Sequence, residues 1–377
     1  MTEDNLILSD QIEGYPHPKI TETLFGHQFA EQEIINCYNS GKLHHGWLIT
    51  GPKGIGKATL AYKITRFILN QHNNLGSNTG LFEDPTVSKN TLNIESDPKT
   101  IESIKVINKS HPNLLIIERS TSDQTKKIRQ NIVLDDVKGL DNFLHMTANE
   151  DGWRVIIIDA IDDMNINAAN YILKLLEEPP KNVLFLIIAH NLGRVLPTIK
   201  SRCRKVLLTP LNTEEMKNIL SQFDLPGDQE NMDQVCHLSE GSVSRALQIL
   251  NGVGSDTITE ISHLLGADAL INRNNLEKTA EKWLRIGRKQ DNDPIYNILD
   301  FFIFWISKCL RDIAKQKSPT DHNNPSDIDC IRSLIDRLGM EELCERLIKA
   351  QDILDNSTNL HLDRKQILYS VILTVAD

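Results

Sequence analysis

The chain lacks the features that mark several common protein classes. Its six cysteines (Cys37, Cys203, Cys236, Cys309, Cys330 and Cys344) include no CxxC pair. Neither a zinc ribbon nor a disulfide framework is expected, and reduced, cytosolic thiols are the simplest reading. Net positive charge is also absent: 41 Lys and Arg against 51 Asp and Glu leave a formal charge of -10. That excludes a protein whose whole surface grips nucleic acid, though not a local basic patch. Long apolar runs are missing too. The most apolar stretch, "FFIFWI" at 301–306, is far too short to span a bilayer and reads as part of a core helix. The opening "MTEDNLILSD" is acidic and carries no long apolar stretch, so it is not read as a signal peptide. A cytoplasmic protein with no membrane partner is the expectation. His44, His45 and His111 are not spaced as a metal cluster.

What is present is ample apolar content, 40% of 377 residues, enough for two or three domains with real cores. Short apolar runs "GWLIT" (46–50), "PNLLIIER" (112–119), "WRVIIIDAIDDM" (153–164), "NVLFLIIAH" (182–190) and "KVLL" (205–208) read as buried strands. Between them lie amphipathic stretches: Phe29–Tyr38, the segment after Lys57 with Leu60, Ala61, Ile64, Phe67 and Ile68 at helical spacing, 133–148, and 165–180 with Ala169, Ile172, Leu173 and Leu176 on one face. Two prolines stop the last of these. Residues 70–100, rich in Asn, Ser, Gly, Asp and Pro, read as a long surface excursion. Continuous apolar strands alternating with helices predict a five-stranded parallel sheet with helices on both faces. After Pro210 the strand signal stops. Residues 212–252 read as three short helices and 268–377 as about five more, with "SPTDHNNPSD" (318–327) as a loop among them.

The chemistry-bearing stretch is "GPKGIGKAT", from Gly51 through Pro52, Lys53, Gly54, Ile55, Gly56, Lys57 and Ala58 to Thr59. Strand, glycine-rich loop and helix is the context in which backbone N–H groups wrap phosphate oxygens. A lysine adds a point charge, and the helix aims its positive end at the same spot. Position 58 is the exception. A hydroxyl there ordinarily ligates the Mg²⁺ that bridges two phosphates, and this chain has Ala58. Thr59 is a poor substitute, because the next residue on a helix points roughly 100° away. Asp159 ends an apolar strand, where a second magnesium-organising carboxylate would sit, and is followed by Ala160. Asp162 and Asp163 offer themselves as stand-ins, but a solvated acidic helix start is the better reading. Missing both groups predicts that phosphate binding survives while hydrolysis is slow or absent.

Two further stretches carry charge. "GRVLPTIKSRCRK" (193–205) holds Arg194, Lys200, Arg202, Arg204 and Lys205 with no acid. Composition leaves open whether it is a solubilising loop or serves a phosphate, DNA or an acidic subunit. "SEGSVSRALQIL" (239–250) is a Gly-Ser turn opening a helix that carries Arg245.

In order along the chain, "LHHGWLITGPKGIGKATLAY", "HPNLLIIER", "WRVIIIDAIDDMN", "AANYILKLLEEPPKNVLFLIIAHNLGRVLPTIKSRC" and "GSVSRAL" resemble the clamp-loader ATPases of bacterial DNA polymerase III. The resemblance is strong over roughly residues 20–250. It implies an AAA+ P-loop module over 1–210, a helical lid over 211–254 and a helical collar over 255–377 that joins subunits. It implies, as partners, the gamma/tau and delta subunits through the collar and the Arg202 face, with the sliding clamp and primed DNA at the level of the whole complex. It makes the chain a cytoplasmic component of the replisome's polymerase holoenzyme. Arg202 would reach into a neighbouring subunit's ATP site as an arginine finger, and Arg245 matches the lid arginine that approaches phosphates. His190 falls near the polar sensor position. Ala58 and Ala160, where motor subunits have Thr and Glu, point to the stationary subunit. The alternative is an active motor with unorthodox metal ligands. A stand-alone DNA-binding regulator is disfavoured by the acidic charge. The excursion lacks the family's cysteine knuckle, so zinc is not expected and no cofactor is required, with room for ATP or ADP held without efficient hydrolysis.

Overall fold

A computed structural model describes residues 15–21, 23–77, 94, 99–121, 129, 131–145, 152–223, 229–250, 255–265, 273–286, 294–315, 325–357 and 363–376. The chain divides into two compact units. The first is Met1–Asp224 with Glu240–Ser244, and the second is Leu225–Ser239 with Arg245–Asp377.

The first unit is built on a five-stranded sheet: β1 (Gly46–Thr50), β2 (Leu114–Glu118), β3 (Arg154–Asp159), β4 (Val183–Ala189) and β5 (Arg204–Leu207). All neighbours are parallel, in the order β2-β3-β4-β1-β5. Period-2 alternation divides the strand residues between two cores. Trp47, Ile49, Val155, Ile157, Leu184, Leu186 and Ile188 pack on one face with α1 (Gln28–Asn39) and α2 (Lys57–Ser77). Leu48, Ile156, Ile158, Phe185 and Ile187 pack on the other with α6 (Ile166–Glu177) and α7 (Pro197–Arg202). Both faces of every central strand are dry, which is why these strands read as unbroken apolar runs rather than alternating ones. This is the α/β module expected from the sequence.

The expected helix at 133–148 is two pieces among the described residues, α4 (Leu134–Val137) and α5 (Gly139–His145), divided at Lys138–Gly139; 146–148 lie outside the described residues. The expected excursion from residue 70 begins later, since α2 continues to Ser77. Its far end falls where expected: α3 (Ile101–Ile107) follows directly, with Thr100 as the N-cap whose side chain accepts the Ser103 N–H. Asn70 of α2 holds that cap, accepting from Thr100 at 2.9 Å and donating to Ser103 Oγ at 3.0 Å. Such a link between two polar segments leaves no periodic signature. α8 (Thr213–Leu220) completes this unit, capped by Asn212 and Glu215 in a reciprocal box.

The second unit is helical among its described residues. It comprises α9 (Gln229–Ser239), α10 (Val243–Leu250, from Arg245 on), α11 (Ser255–Leu265), α12 (Arg273–Ile286), α13 (Pro294–Ala314), α14 (Pro325–Leu338), α15 (Met340–Asn356) and α16 (Arg364–Ala376). α13 carries "FFIFWI" and is apolar almost all round, so it is the buried element, with Phe302 and Ile306 at 0% exposure. α15 packs on α13 and α16. The expected loop at 318–327 lies outside the described residues as far as 324; Pro325 then begins α14. No described helix is long and apolar enough to cross a membrane.

Candidate functional site

β1 delivers the chain into the glycine-rich loop at the carboxyl end of the sheet, the place where ligands sit in open α/β folds. Gly51, Gly54 and Gly56 adopt φ values of 145°, 80° and 103°, a region L side chains rarely enter. Gly54 is also pressed from outside: a Cβ there would lie 2.5 Å from Ser242 Oγ and 2.6 Å from Ser244 Cβ.

Five consecutive loop carbonyls are held by donors from the chain itself. Lys57 Nζ donates to Gly51 O at 2.7 Å and Pro52 O at 2.5 Å. Ser242 Oγ donates to Lys53 O at 2.9 Å, and Ser244 N–H to Gly54 O at 3.3 Å. His27 Nε2 lies 2.7 Å from Ile55 O; a carbonyl only accepts, so that nitrogen carries the hydrogen. In a trans peptide each N–H points opposite to the preceding C=O. The N–H groups of Lys53, Gly54, Ile55 and Gly56 are therefore aimed away from these donors, and none has a protein acceptor among the described residues. Backbone N–H groups with no acceptor among the described residues, in a glycine-rich loop that opens a 21-residue helix beginning at Lys57, are the chemistry that receives phosphate.

The positions that would organise metal and water are filled differently. Ala58 packs against the core cluster on the α1/α2 face, and Ala160, 2% exposed, belongs to that cluster. Asp159 stands at the end of β3. Asp162, in a 3-10 turn over Ile161–Asp163, is not the solvated acid expected. Its carboxylate accepts the His190 N–H at 3.0 Å and the Asn191 N–H at 2.8 Å, capping the end of β4. Asp163 faces the Arg119 guanidinium at 3.7 Å. These two acids are engaged with their own fold, which a sequence reading of a local acidic pair does not reveal. His190 follows β4. Burial, with the cations of Lys57, Lys53 and Arg119 adding to it, pushes its imidazole down to about 3. The ring is neutral at pH 7, with Nδ1 buried and unpartnered.

Arg202 stands at the opposite, amino end of the sheet, just before β5. A five-residue strand separates the two ends by about 16 Å. Pro197 opens α7 and Arg202 closes it. The guanidinium donates from Nη1 to Thr198 O at 3.0 Å and Ser201 Oγ at 3.3 Å, and from Nη2 to Glu177 Oε1 at 2.7 Å. Its side chain is 34% exposed, and Nε has no partner among the described residues. Cys203 behind it is buried, which pushes its thiol up to about 12 and leaves it a packing group at neutral pH.

The other cations of this run divide. Lys200 donates to Leu192 O at 3.0 Å. Arg204 pairs with Glu33 at 2.9 Å and lies over the Trp47 ring at 5.1 Å. Much of the basic run is therefore fastened to its own unit. Arg245 belongs to the second unit, where its guanidinium carbon lies 3.4 Å from the Phe304 ring centroid. Among the described residues, no three His, Cys, Asp or Glu side chains gather in a metal-holding group.

A family profile described as "DNA polymerase III, delta subunit" matches residues 26–212, spanning the loop, both alanine departures and Arg202. The chain is 25% identical over 274 residues to the DNA polymerase III subunit delta' of Pseudomonas aeruginosa, covering 71% of this chain and 72% of that protein. The chain belongs to the clamp-loader family. A second clamp-loader relative, the subunit gamma of Buchnera aphidicola from Schizaphis graminum, is 26% identical over 237 residues, 62% of this chain and 58% of that protein. The chain spans about six tenths of the length of the gamma relatives it matches. Gamma and delta' relatives match at similar identity, so similarity assigns the family and not the subunit. A solved gamma-subunit-related protein from Thermotoga maritima is 16% identical, with a TM-score of 0.38 over 91% of this chain and 98% of its own; it adds nothing to what the strand order shows.

Proposed function

We propose that this clamp-loader subunit is a non-hydrolysing, delta-prime-type stator that lends Arg202 to the ATP site of a neighbouring motor subunit. One observation carries the reading. Ala58 and Ala160 put methyl groups into the core where a magnesium ligand and a water-orienting carboxylate are needed, while Arg202 is half-exposed with donors unengaged. An arginine supplied in trans stabilises charge on a transferring phosphoryl group, and it makes turnover depend on correct assembly.

The loop itself fits phosphate. A bound nucleotide would supply phosphate oxygens, and Lys57 with the N–H groups of Lys53, Gly54, Ile55 and Gly56 would hold them. ATP or ADP is then a structural ligand rather than a substrate. The partners are gamma/tau and delta subunits, met through the helical second unit and the Arg202 face. The whole assembly acts on the sliding clamp and primed DNA in the cytoplasm, as part of the polymerase holoenzyme.

The test is clamp- and DNA-stimulated ATP hydrolysis by the reconstituted complex. Arg202→Ala is expected to suppress turnover at the neighbouring site, and unchanged turnover would remove the finger role. The loop N–H groups, with no acceptor among the described residues, favour a second reading, a gamma/tau-like motor with atypical metal ligands. Mg²⁺-dependent turnover by the purified chain, lost in Lys57→Ala, would establish it.

A further inference from the structure

We infer that Glu177 is a positioning residue for Arg202, holding the guanidinium so that its free edge faces outward. The inference rests on the trans role proposed above for Arg202.

Glu177 is an odd residue for its position. It is the last residue of α6, with Glu178 following as the C-cap. The unsatisfied carbonyls there make a carboxylate unfavourable, and cations are the residues that stabilise such an end. The pair it forms with Arg202 is exposed, at 44% for the glutamate and 34% for the arginine. An exposed pair contributes little to folding, so stability does not account for a carboxylate here. What the pair does provide is orientation.

A guanidinium has five N–H donors in a rigid plane. Three directions are fixed here, toward Thr198 O, Ser201 Oγ and Glu177 Oε1. With only the two contacts inside α7, the arginine could swing about its own helix. The contact from α6 adds a fixed point outside that helix. It leaves Nε and one Nη2 hydrogen for an acceptor that the described residues do not supply.

The two residues are mounted on a common seat. Gly46, the first residue of β1, is closely covered: a Cβ would meet Cys203 Sγ at 3.2 Å, Leu176 Cδ2 at 3.3 Å and Arg202 O at 3.7 Å. Leu176 precedes Glu177, and Cys203 follows Arg202. The ends of α6 and α7 therefore close on one glycine, and Pro179–Pro180 stops α6 at that point. The sequences "LLEEPP" and "SRC", 21 residues apart at their nearest, meet as one bracket.

The experiment is a double-mutant cycle in the complex reconstituted with its gamma and delta subunits, clamp and primed DNA, reading kcat and KM for ATP. Glu177→Ala is expected to lower kcat about five-fold, the fold equivalent of an exposed pair's upper range, with KM for ATP and the melting temperature unchanged. Glu177→Gln, which keeps an acceptor, is expected to fall between. On an Arg202→Ala background, Glu177→Ala is expected to change nothing further. Three results overturn the inference while leaving the trans role intact: Arg202→Ala lowers kcat and Glu177→Ala does not; Glu177→Ala raises kcat; or its effect persists without Arg202. If Arg202→Ala itself has no effect, the trans role fails, and the positioning role fails with it.

Discussion

The two ends of one sheet treat charge in different ways. At the carboxyl end, Lys57 is 3% exposed and turned onto the loop's own carbonyls, and Asp162 is engaged by two backbone N–H groups. At the amino end, Arg202 is clamped by Glu177 and still exposed. The first arrangement keeps a backbone shaped for phosphate without the side chains that would turn a nucleotide over. The second keeps a charge rigid and accessible, which is useful only to something outside the unit. On the proposed reading, a P-loop fold retains its ligand cradle while its contribution to catalysis lies some 16 Å away, along the length of a strand.

The comparison is tested hardest by asking which end matters for turnover in the complex. Arg202→Ala is expected to reduce hydrolysis at the neighbouring site on the order of 10³-fold, the lower range for an arginine finger. Lys57→Ala should abolish nucleotide binding by this subunit while leaving that turnover largely intact. If the two variants exchanged these effects, the assignment of roles to the two ends would reverse.

Asp162 comes next. Asp162→Ala leaves two N–H groups at the end of β4 without an acceptor, an expected loss of about 2–4 kcal/mol. For a unit of this size, each kcal/mol lowers the melting temperature by about 2–4 °C. Asp162→Asn should lose about half as much. If neither variant shifted the melt, the acid would be the solvated group that the sequence suggested.

How much of this was legible beforehand differs by scale. Strands buried on both faces announce themselves as apolar runs, so the central β1, β3 and β4 follow directly from residues such as Trp47–Thr50 and Val183–Ala189, whereas β5 is an edge strand on which only Val206 is buried. Ala58 and Ala160 are legible for a simple reason: each is one letter where chemistry demands another. Contacts between polar residues far apart in sequence are not legible, because each partner alone looks like surface. Ser242 on the Lys53 carbonyl, His27 on Ile55 and Glu177 on Arg202 all depend on the tertiary fold. Arg204 shows the same limit from the other side. In sequence it is one cation in a basic run, and in the fold it is fastened to Glu33 and Trp47.

A smaller effect is expected at Gly54. Gly54→Ala forces a φ of 80° on an L residue and pushes Ser242 and Ser244 away, at about 1–2 kcal/mol for the backbone alone. Nucleotide affinity, read by calorimetry, should fall about ten-fold, while the Arg202-dependent turnover of the complex is unchanged. Loss of both would mean that the two ends are coupled.

The last effect, at His190, is confined to acid pH. Its folded value of about 3 lies below the ordinary 6.5, so the unfolded chain binds more protons between those values. Stability contributed by the neutral ring is present above pH 6.5 and is lost as pH falls toward 3. His190→Gln should flatten that limb of a pH–stability profile; an unchanged limb would place the ring in a more open setting.

The most direct measurement is steady-state ATP hydrolysis by the purified chain alone with saturating Mg²⁺. The account predicts no turnover above that of a Lys57→Ala control, even where nucleotide binds. Sustained turnover that the same substitution abolishes would contradict it, and would make this subunit a motor in its own right.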